Sequence, residues 1–259
     1  IGAQERIARL LGLPMEQVRL ETVSLNHCGA ITAVYVNGQN VLPQLLDEQV
    51  LLHAAKQDDW IANYRPIIEL LRAIPNDYLQ YYFYRARKLS EQKQALQTRG
   101  EACREIEARL LSYYSDVRND EVPSMLAERG GHLYSEAAVA LIASLSGAAP
   151  GHHVVDVQNC GTLGFLPDSS VIETSCFVEK DRISRNPITA QPSEALRMLV
   201  QSVKAYETLA VRAALTGDRA VARQALACNP ITADLDEAIP CLEEMLDQNR
   251  TLLPRFFPS

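Results

Sequence analysis

Three places in the 259-residue sequence carry side chains whose type and spacing can do chemistry. The first is Leu25-Asn26-His27-Cys28, read as part of a loop between two strands. A neutral imidazole there is a good ligand for Mn²⁺, Fe²⁺ or Zn²⁺, and the Asn26 amide can bind a substrate hydroxyl. A single histidine beside a cysteine is, by spacing alone, more often a hydrogen-bonded structural residue. The second place is the stretch Pro75 to Tyr84, which holds four of the ten tyrosines: Tyr78, Tyr81, Tyr82 and Tyr84. A phenol serves as a base only beside a cation or metal that favours its ionised form, because it ordinarily titrates near 10. Aromatic packing is the competing reading. The third is the pair Arg99 and Arg129, each expected near a helix N-terminus, where guanidinium and free backbone N–H groups together suit a phosphate. Surface ion pairs with nearby glutamates are the alternative. His152-His153 sits on an expected strand, so the two rings point to opposite faces and cannot share one ion.

Several familiar devices are absent. The sequence has no G-x-G-x-x-G, no phosphate loop of the G-x-x-x-x-G-K type, no H-E-x-x-H and no G-x-S-x-G. A nucleotide cofactor would therefore need a phosphate loop from outside this sequence. Composition narrows the class without naming a function. Hydrophobic residues make up 47% and charged residues 22%, with 25 Lys+Arg against 32 Asp+Glu for a net charge of −7. That balance, without a basic run, argues against a nucleic-acid or anionic-membrane surface. The longest apolar stretch, Ala137 to Ala149, is too short to span a bilayer. The six cysteines are scattered without paired spacing, which reads as reduced thiols in the cytoplasm.

The elements that must position these residues follow from periodicity. Ile7, Leu10 and Leu11 recur at helical spacing close to the start of the sequence, so a helix and not a leader is expected there. Arg19 to Val23 and Ala30 to Val36 read as strands with a loop over Ser24 to Gly29, and Asn37-Gly38 predicts a hairpin into a short strand over Asn40 to Leu42. Pro43 to Ser115 reads as helical with breaks at Pro66 and Pro75; its best helix is Thr98 to Tyr114, with Cys103, Ile106, Leu110 and Tyr113 on one face. A further helix, Tyr134 to Leu145, places Ala138, Leu141, Ile142 and Leu145 on one side. Strands are expected at His152 to Gln158 and Val171 to Val178, then helices at Ser193 to Leu215, Asp218 to Cys228 and Asp234 to Asn249. The class is α+β, with short antiparallel or mixed strands.

Taken in order, these segments resemble the C-terminal part of glycoside hydrolase family four, and specifically its 6-phospho-β-glucosidases. The resemblance rests on IGAQERIARLLGLPMEQVRLETVSLNH at 1–27, VYVNGQNVLPQL at 34–45, NDYLQYYFYRARK at 76–88, RGGHLYSEAAVALI at 129–142, HHVVDVQNCGTLGFLP at 152–167 and VKAYETLAVRAALTGDRAVARQALACNP at 203–230. It implies a domain like the C-terminal domain of lactate and malate dehydrogenases over residues 1–259. An N-terminal NAD-binding Rossmann domain, ending in a Cys-Asn-x-Pro segment whose cysteine ligates the metal, would lie outside this sequence. By the same resemblance His27 is a ligand of Mn²⁺ or a similar divalent metal, Asn26 faces the substrate, Tyr78 is the catalytic base, and Arg99 and Arg129 lie on the substrate side.

What the resemblance implies in chemistry is hydrolysis of a phosphorylated disaccharide such as cellobiose 6-phosphate by oxidation, elimination, addition and reduction. Hydride leaves C3 to NAD, the C2 proton goes to Tyr78, and no carboxylate pair is required. It also implies a homo-oligomer. Departures from the family pattern are Cys28-Gly29-Ala30, where larger and aromatic residues are common, and Asp156, Gln158 and Cys160, where Asn, Arg and Asn are usual. Two other readings stay open: another family-four specificity (6-phospho-α-glucosidase or α-galactosidase), and a non-catalytic domain for sugar-phosphate binding or oligomerisation.

Overall fold

The computed structural model describes residues 2–130, 134–232 and 234–258. Helix α1 (Gly2–Leu11) buries Ile7 and Ala8 and stops at Gly12, whose φ of 66° favours glycine. A one-turn 3₁₀ segment leads into β1 (Val18–Leu25), which pairs antiparallel with β2 (Cys28–Val36) along its whole length. The expected loop over Ser24 to Gly29 is thus much tighter: Leu25 pairs with Cys28, and only Asn26 and His27 turn the chain. Burial explains the difference. Ser24 and Cys28 look like turn residues by type, yet both are buried in the sheet, where pairing their backbone avoids orphaned N–H and C=O groups.

At the far end of β2, Asn37 and Gly38 take φ values of 50° and 79°, as a two-residue hairpin requires, and β3 (Gln39–Asn40) folds back on β2. The strand ends earlier than expected because Leu42 already begins α2 (Leu42–Leu45). Then come α3 (Glu48–Ala55) and α4 (Asp59–Leu71). The break expected at Pro66 does not occur, and α4 runs through it. A proline inside a helix costs about 3 kcal/mol. Five buried side chains of α4 (Ile61, Tyr64, Ile67, Ile68, Leu71) outweigh that at roughly 1.5–3 kcal/mol per apolar side chain. Pro75 does interrupt the helices, in the two-residue strand β4 (Ile74–Pro75) beside β2.

Next are α5 (Leu79–Phe83), α6 (Arg85–Gln94), α7 (Arg99–Tyr114) and α8 (Met125–Arg129). Thr98 caps α7 in a reciprocal box with Glu101. Helix α9 (Tyr134–Leu145) forms where expected, but its apolar side is not buried. Only Ser144 is inaccessible, and Val139 and Ile142 are 65% and 63% exposed; α9 is tied to the rest through Ser144 Oγ at His153 Nε2 and the Leu145 carbonyl, which accepts from Asp181 N–H. Strands β5 (Gly151–Gln158) and β6 (Val171–Glu179) form a full antiparallel pair, and β7 (Arg182–Arg185), unforeseen in the sequence, folds back on β6. The described strands form one sheet in the order β3-β2-β1-β6-β5, with β4 on β2 and β7 on β6, every pair antiparallel.

Helix α10 (Glu194–Thr216), capped by Ser193 and ended by Gly217, covers the sheet with Leu196, Val200 and Val203. Helices α11 (Arg219–Cys228) and α12 (Leu235–Gln248) close a smaller cluster with Ala213, Val221, Ala222, Leu246 and Phe256. The main core lies between the sheet and α1, α3, α4 and α10. The segment before α10 is latched by Glu21, a buried carboxylate on β1. It accepts hydrogen bonds from Thr189 N–H (3.0 Å), Thr189 Oγ1 (2.8 Å) and Ala190 N–H (2.9 Å). The fold is α+β, as the sequence predicts.

Candidate active site

The β1–β2 hairpin carries its two-residue turn clear of the sheet, so Asn26 and His27 are both exposed while Leu25 and Cys28 on either side are buried. His27 takes φ 61°, a left-handed conformation that is uncommon outside glycine, although asparagine, aspartate and histidine enter it several-fold more often than other residues. Such outliers cluster at sites where function constrains the backbone. Its ring stacks on that of Tyr78, centroids 3.9 Å apart and planes 11° from parallel. Tyr78 precedes α5 and is 45% exposed; Tyr81 lies one turn on, its ring centred 6.3 Å away. The two residues that the sequence sets far apart are thus in face-to-face contact.

A stacked partner covers the face of an imidazole, whereas its ligating lone pair lies in the ring plane. Among the described residues, neither ring nitrogen of His27 nor the Tyr78 hydroxyl takes part in a hydrogen bond. The geometry therefore fits a divalent ion at the His27 ring edge. Among the described residues no three His, Cys, Asp or Glu side chains come together as a metal-binding group, so His27 has no complete ligand set within them. Cys28 does not join it. Its sulfur is buried beside Tyr82, and burial pushes the thiol up to about 12, so it stays protonated at neutral pH.

The segment carrying Tyr78 is tied down on both sides. Asn76 N–H donates to the Gly29 carbonyl on β2 (2.9 Å), and the Asn76 side chain accepts from Tyr78 N–H (2.8 Å). Asp77 accepts from Trp60 Nε1–H (2.5 Å) at its carboxylate and from the Tyr64 hydroxyl (2.5 Å) at its carbonyl. A cavity of about 490 Å³ opens beside Tyr78, with mostly aliphatic walls from α1, α3 and α4 and with Arg6 lying over the Trp60 ring.

Arg99 and Arg129 form a second pair. Arg99 Nη2 donates to the carbonyls of Glu128 (2.9 Å) and Arg129 (3.2 Å), fastening the end of α8 to the start of α7. Both arginines are exposed, and no hydrogen bond, ion pair or ring contact among the described residues joins them to His27 or Tyr78. Gly131 of the Arg-Gly-Gly motif lies outside the described residues. His152 and His153 point to opposite faces as predicted: His153 Nε2 meets Ser144 Oγ (2.7 Å) and His152 Nδ1 meets Asn186 (3.1 Å). Asp156, one of the departures, lies opposite Glu173 on the strand next to β1, and burial and the Asp156 charge raise Glu173 above the ordinary carboxylate range. Trp60, Tyr64 and Asp77 were not singled out in the sequence. The lone tryptophan and an acid directly before the tyrosine run were the available signals.

Residues 23–232 match the profile of the family 4 glycosyl hydrolase C-terminal domain. Among curated proteins, the chain is 29% identical to a probable 6-phospho-beta-glucosidase of Bacillus subtilis (strain 168) over 99% of its own length and 59% of the relative's. It is 30% identical to the 6-phospho-beta-glucosidase BglT of Thermotoga maritima over 94% of its length and 57% of the relative's. The crystal structure of the Thermotoga maritima 6-phospho-beta glucosidase with manganese, NAD+ and glucose-6-phosphate matches with a TM-score of 0.82 at 29% identity, covering 97% of this chain and 59% of that one. A 6-phospho-alpha-glucosidase from gut microorganisms shares the fold, with a TM-score of 0.79 at 22% identity. The chain spans less than two thirds of the length of these relatives.

Proposed function

We infer the function from one premise: the chain belongs to the family 4 glycosyl hydrolases, through the C-terminal domain that residues 23–232 match. We propose that it is the metal- and substrate-binding domain of an NAD- and Mn²⁺-dependent 6-phospho-β-glucosidase, acting on β-glucosides phosphorylated at C6 such as cellobiose 6-phosphate. The observation that carries this reading is the His27–Tyr78 stack, which joins an open metal donor to a phenol. Of the relatives named for β-glucosides, two are 29% and 30% identical and one, of Escherichia coli, is 24% identical, against 23% for a phospho-alpha-glucosidase of Clostridium acetobutylicum; the first two favour the β reading.

His27 would hold the divalent ion together with a ligand from outside the 259 residues. When bound, NAD and the ion supply hydride acceptance at C3 and Lewis-acid polarisation of the carbonyl that results. The rest falls to this chain. Tyr78 removes the C2 proton, made acidic by the neighbouring carbonyl, and its ring is held for that purpose against His27. Asn26, on the same turn, reaches a sugar hydroxyl. Arg129, and Arg99 where its guanidinium is not occupied by the two carbonyls, supply positive charge for the phosphate. No carboxylate pair has a part, which accords with the departure of NAD-dependent family-four enzymes from the usual two-carboxylate pattern.

The test is turnover of a chromogenic 6-phospho-β-glucoside and its α anomer, with NAD+ and Mn²⁺, by the chain joined to an NAD-binding portion. Release from the β anomer alone, and none by the 259 residues alone, is the expected result. Release without NAD+ overturns the proposal, and release only from the α anomer returns it to the phospho-α-glucosidases.

A further inference from the structure

The Tyr78 ring cannot hold its own position. It is half exposed, its hydroxyl bonds to nothing among the described residues, and its one ring-stacking partner stands on an exposed two-residue turn. We propose that Trp60 and Tyr64, acting through Asp77, are positioning residues that hold Tyr78 against His27. The inference rests on the reading of Tyr78 as the base.

Four features support it. Trp60 and Tyr64 lie one turn apart on α4 with their rings stacked, centroids 4.4 Å apart, so they act from one rigid surface. Their donors reach two different atoms of the residue before Tyr78: Trp60 Nε1–H meets the Asp77 carboxylate and the Tyr64 hydroxyl meets the Asp77 carbonyl. One such bond leaves a pivot; two, to side chain and main chain, fix the orientation of the peptide that leads into Tyr78. Next, α4 is itself well anchored. Asp58 caps it through the N–H groups of Trp60 and Ile61, and five of its side chains are buried. Last, the opposite side of the segment is fixed by Asn76 to Gly29 of β2, the strand that leaves the His27 turn. Core, helix, Asp77, Tyr78 and His27 thus form a closed circuit. Burial and the Asp77 charge push the Tyr64 phenol up to about 12, so it remains a donor across the neutral range.

The experiment has two arms. In the first, the His27 ring protons are followed by NMR in the 259-residue chain, where stacking on Tyr78 shifts them upfield; Tyr78→Ala defines the full shift. Tyr64→Phe, which keeps the ring, and Trp60→Phe, which keeps a smaller aromatic ring, each remove one donor and should lose at least half of it, and a shift equal to that of the unaltered chain in both overturns the proposal. In the second, the active enzyme is assayed. Asp77→Leu should lower kcat by about 10- to 100-fold, the scale of a misplacement near 1 Å, with KM nearly unchanged. Asp77→Asn, which keeps an acceptor oxygen, should restore most of the loss. Equal kcat in Asp77→Leu and the parent overturns the catalytic half of the proposal. Thermal melting identifies any variant that fails to fold, and Tyr64→Phe and Asp77→Asn are each single-atom changes that keep side-chain size. Tyr78→Phe separates this idea from the one beneath it. Full turnover in that variant removes the base assignment, whereas the NMR arm still decides the clamp.

Discussion

Tyr78→Phe tests the proposed chemistry most directly, because the structure separates what the ring does from what the hydroxyl does. The ring stacks on His27 at 3.9 Å, and phenylalanine keeps that contact. The hydroxyl has no hydrogen bond among the described residues, and the side chain is 45% exposed, so removing one oxygen leaves no orphaned partner. A change of that kind stays within about 0.5 kcal/mol of folding stability. At roughly 2–4 °C per kcal/mol for a chain of about this size, Tm moves by no more than about 2 °C. Turnover behaves differently. A positioned base contributes a factor of about 10² to 10⁴, equivalent to roughly 2.7–5.4 kcal/mol of barrier. The assay is therefore a pair: melting of the variant chain, and release of a chromophore from a 6-phospho-β-glucoside by the full enzyme with NAD+ and Mn²⁺. Running the unaltered enzyme in D₂O adds a third measurement, since proton removal by an exchangeable phenol puts deuterium at C2 of the product. Normal turnover in Tyr78→Phe moves the base elsewhere, to Tyr81 first. Product without deuterium at C2 refutes the elimination altogether. A fall of several degrees in Tm would show that the hydroxyl has a structural role that the geometry does not predict.

Further expectations follow from other parts of the molecule. In the active enzyme His27→Ala should remove most bound Mn²⁺ and nearly all turnover, because the remaining ligand alone holds an ion poorly; metal content by mass spectrometry that equals the parent's returns His27 to a structural role. Glu21→Leu leaves the N–H groups of Thr189 and Ala190 without their acceptor, a loss of about 2–6 kcal/mol at 1–3 kcal/mol per group, so Tm should fall by roughly 4–24 °C; calorimetry showing no fall refutes the latch. Burial holds His152 and His153 below the ordinary imidazole range, so the folded state binds fewer protons than the unfolded chain. Stability is therefore complete above about pH 6.5 and declines as pH falls below it; Tm at pH 7.5 and 5.5 should differ more in the parent than in His153→Gln, and equal differences count against it. Met198, Val211 and Leu215 on α10 and Leu235 and Met245 on α12 are exposed, and the active protein is expected to be a dimer or larger; sedimentation of a single monomeric species at micromolar concentration overturns that.

Much of the fold was legible because its signals are local. Asn37-Gly38 declares its hairpin by the φ values that these residues tolerate, and the apolar spacing of Cys103, Ile106 and Leu110 places α7. Errors arose where tertiary burial overrides local type. Ser24 and Cys28 read as loop residues until the sheet buries them, and Pro66 reads as a break until five side chains of α4 find the core. Helix α9 failed the opposite way: its periodicity was real, but periodicity cannot say whether anything packs on the face it defines. For the site, sequence supplied the residue types and the resemblance supplied their roles. Neither could supply the contact between His27 and Tyr78, which depends on a turn and a helix start meeting across β2 and β4. The pairing of Trp60 with Asp77 was invisible for the same reason: a hydrogen bond between distant residues has no spacing rule.

The left-handed backbone of His27 bears on why the turn is so short. An L-residue in that conformation costs about 1–2 kcal/mol, and glycine at the same position would avoid it. A longer loop would relieve the strain as well, but it would let the imidazole swing through several ångströms. Two residues between the paired Leu25 and Cys28 leave the ring almost no freedom other than its own side-chain rotations, and the stack on Tyr78 removes most of that. The ladder of β1 and β2, paired from Val18 with Val36 to Leu25 with Cys28, is long enough to hold such a turn closed. For a chain whose described residues bring no complete ligand set to a metal ion, this matters more than the strain. One ligand cannot enforce coordination geometry by number, so it must do so by rigidity. A turn lengthened by one glycine after Asn26 should therefore melt at nearly the same temperature as the parent yet hold Mn²⁺ more weakly in the active enzyme, and equal metal affinity in the two would show that the tight turn serves the sheet alone.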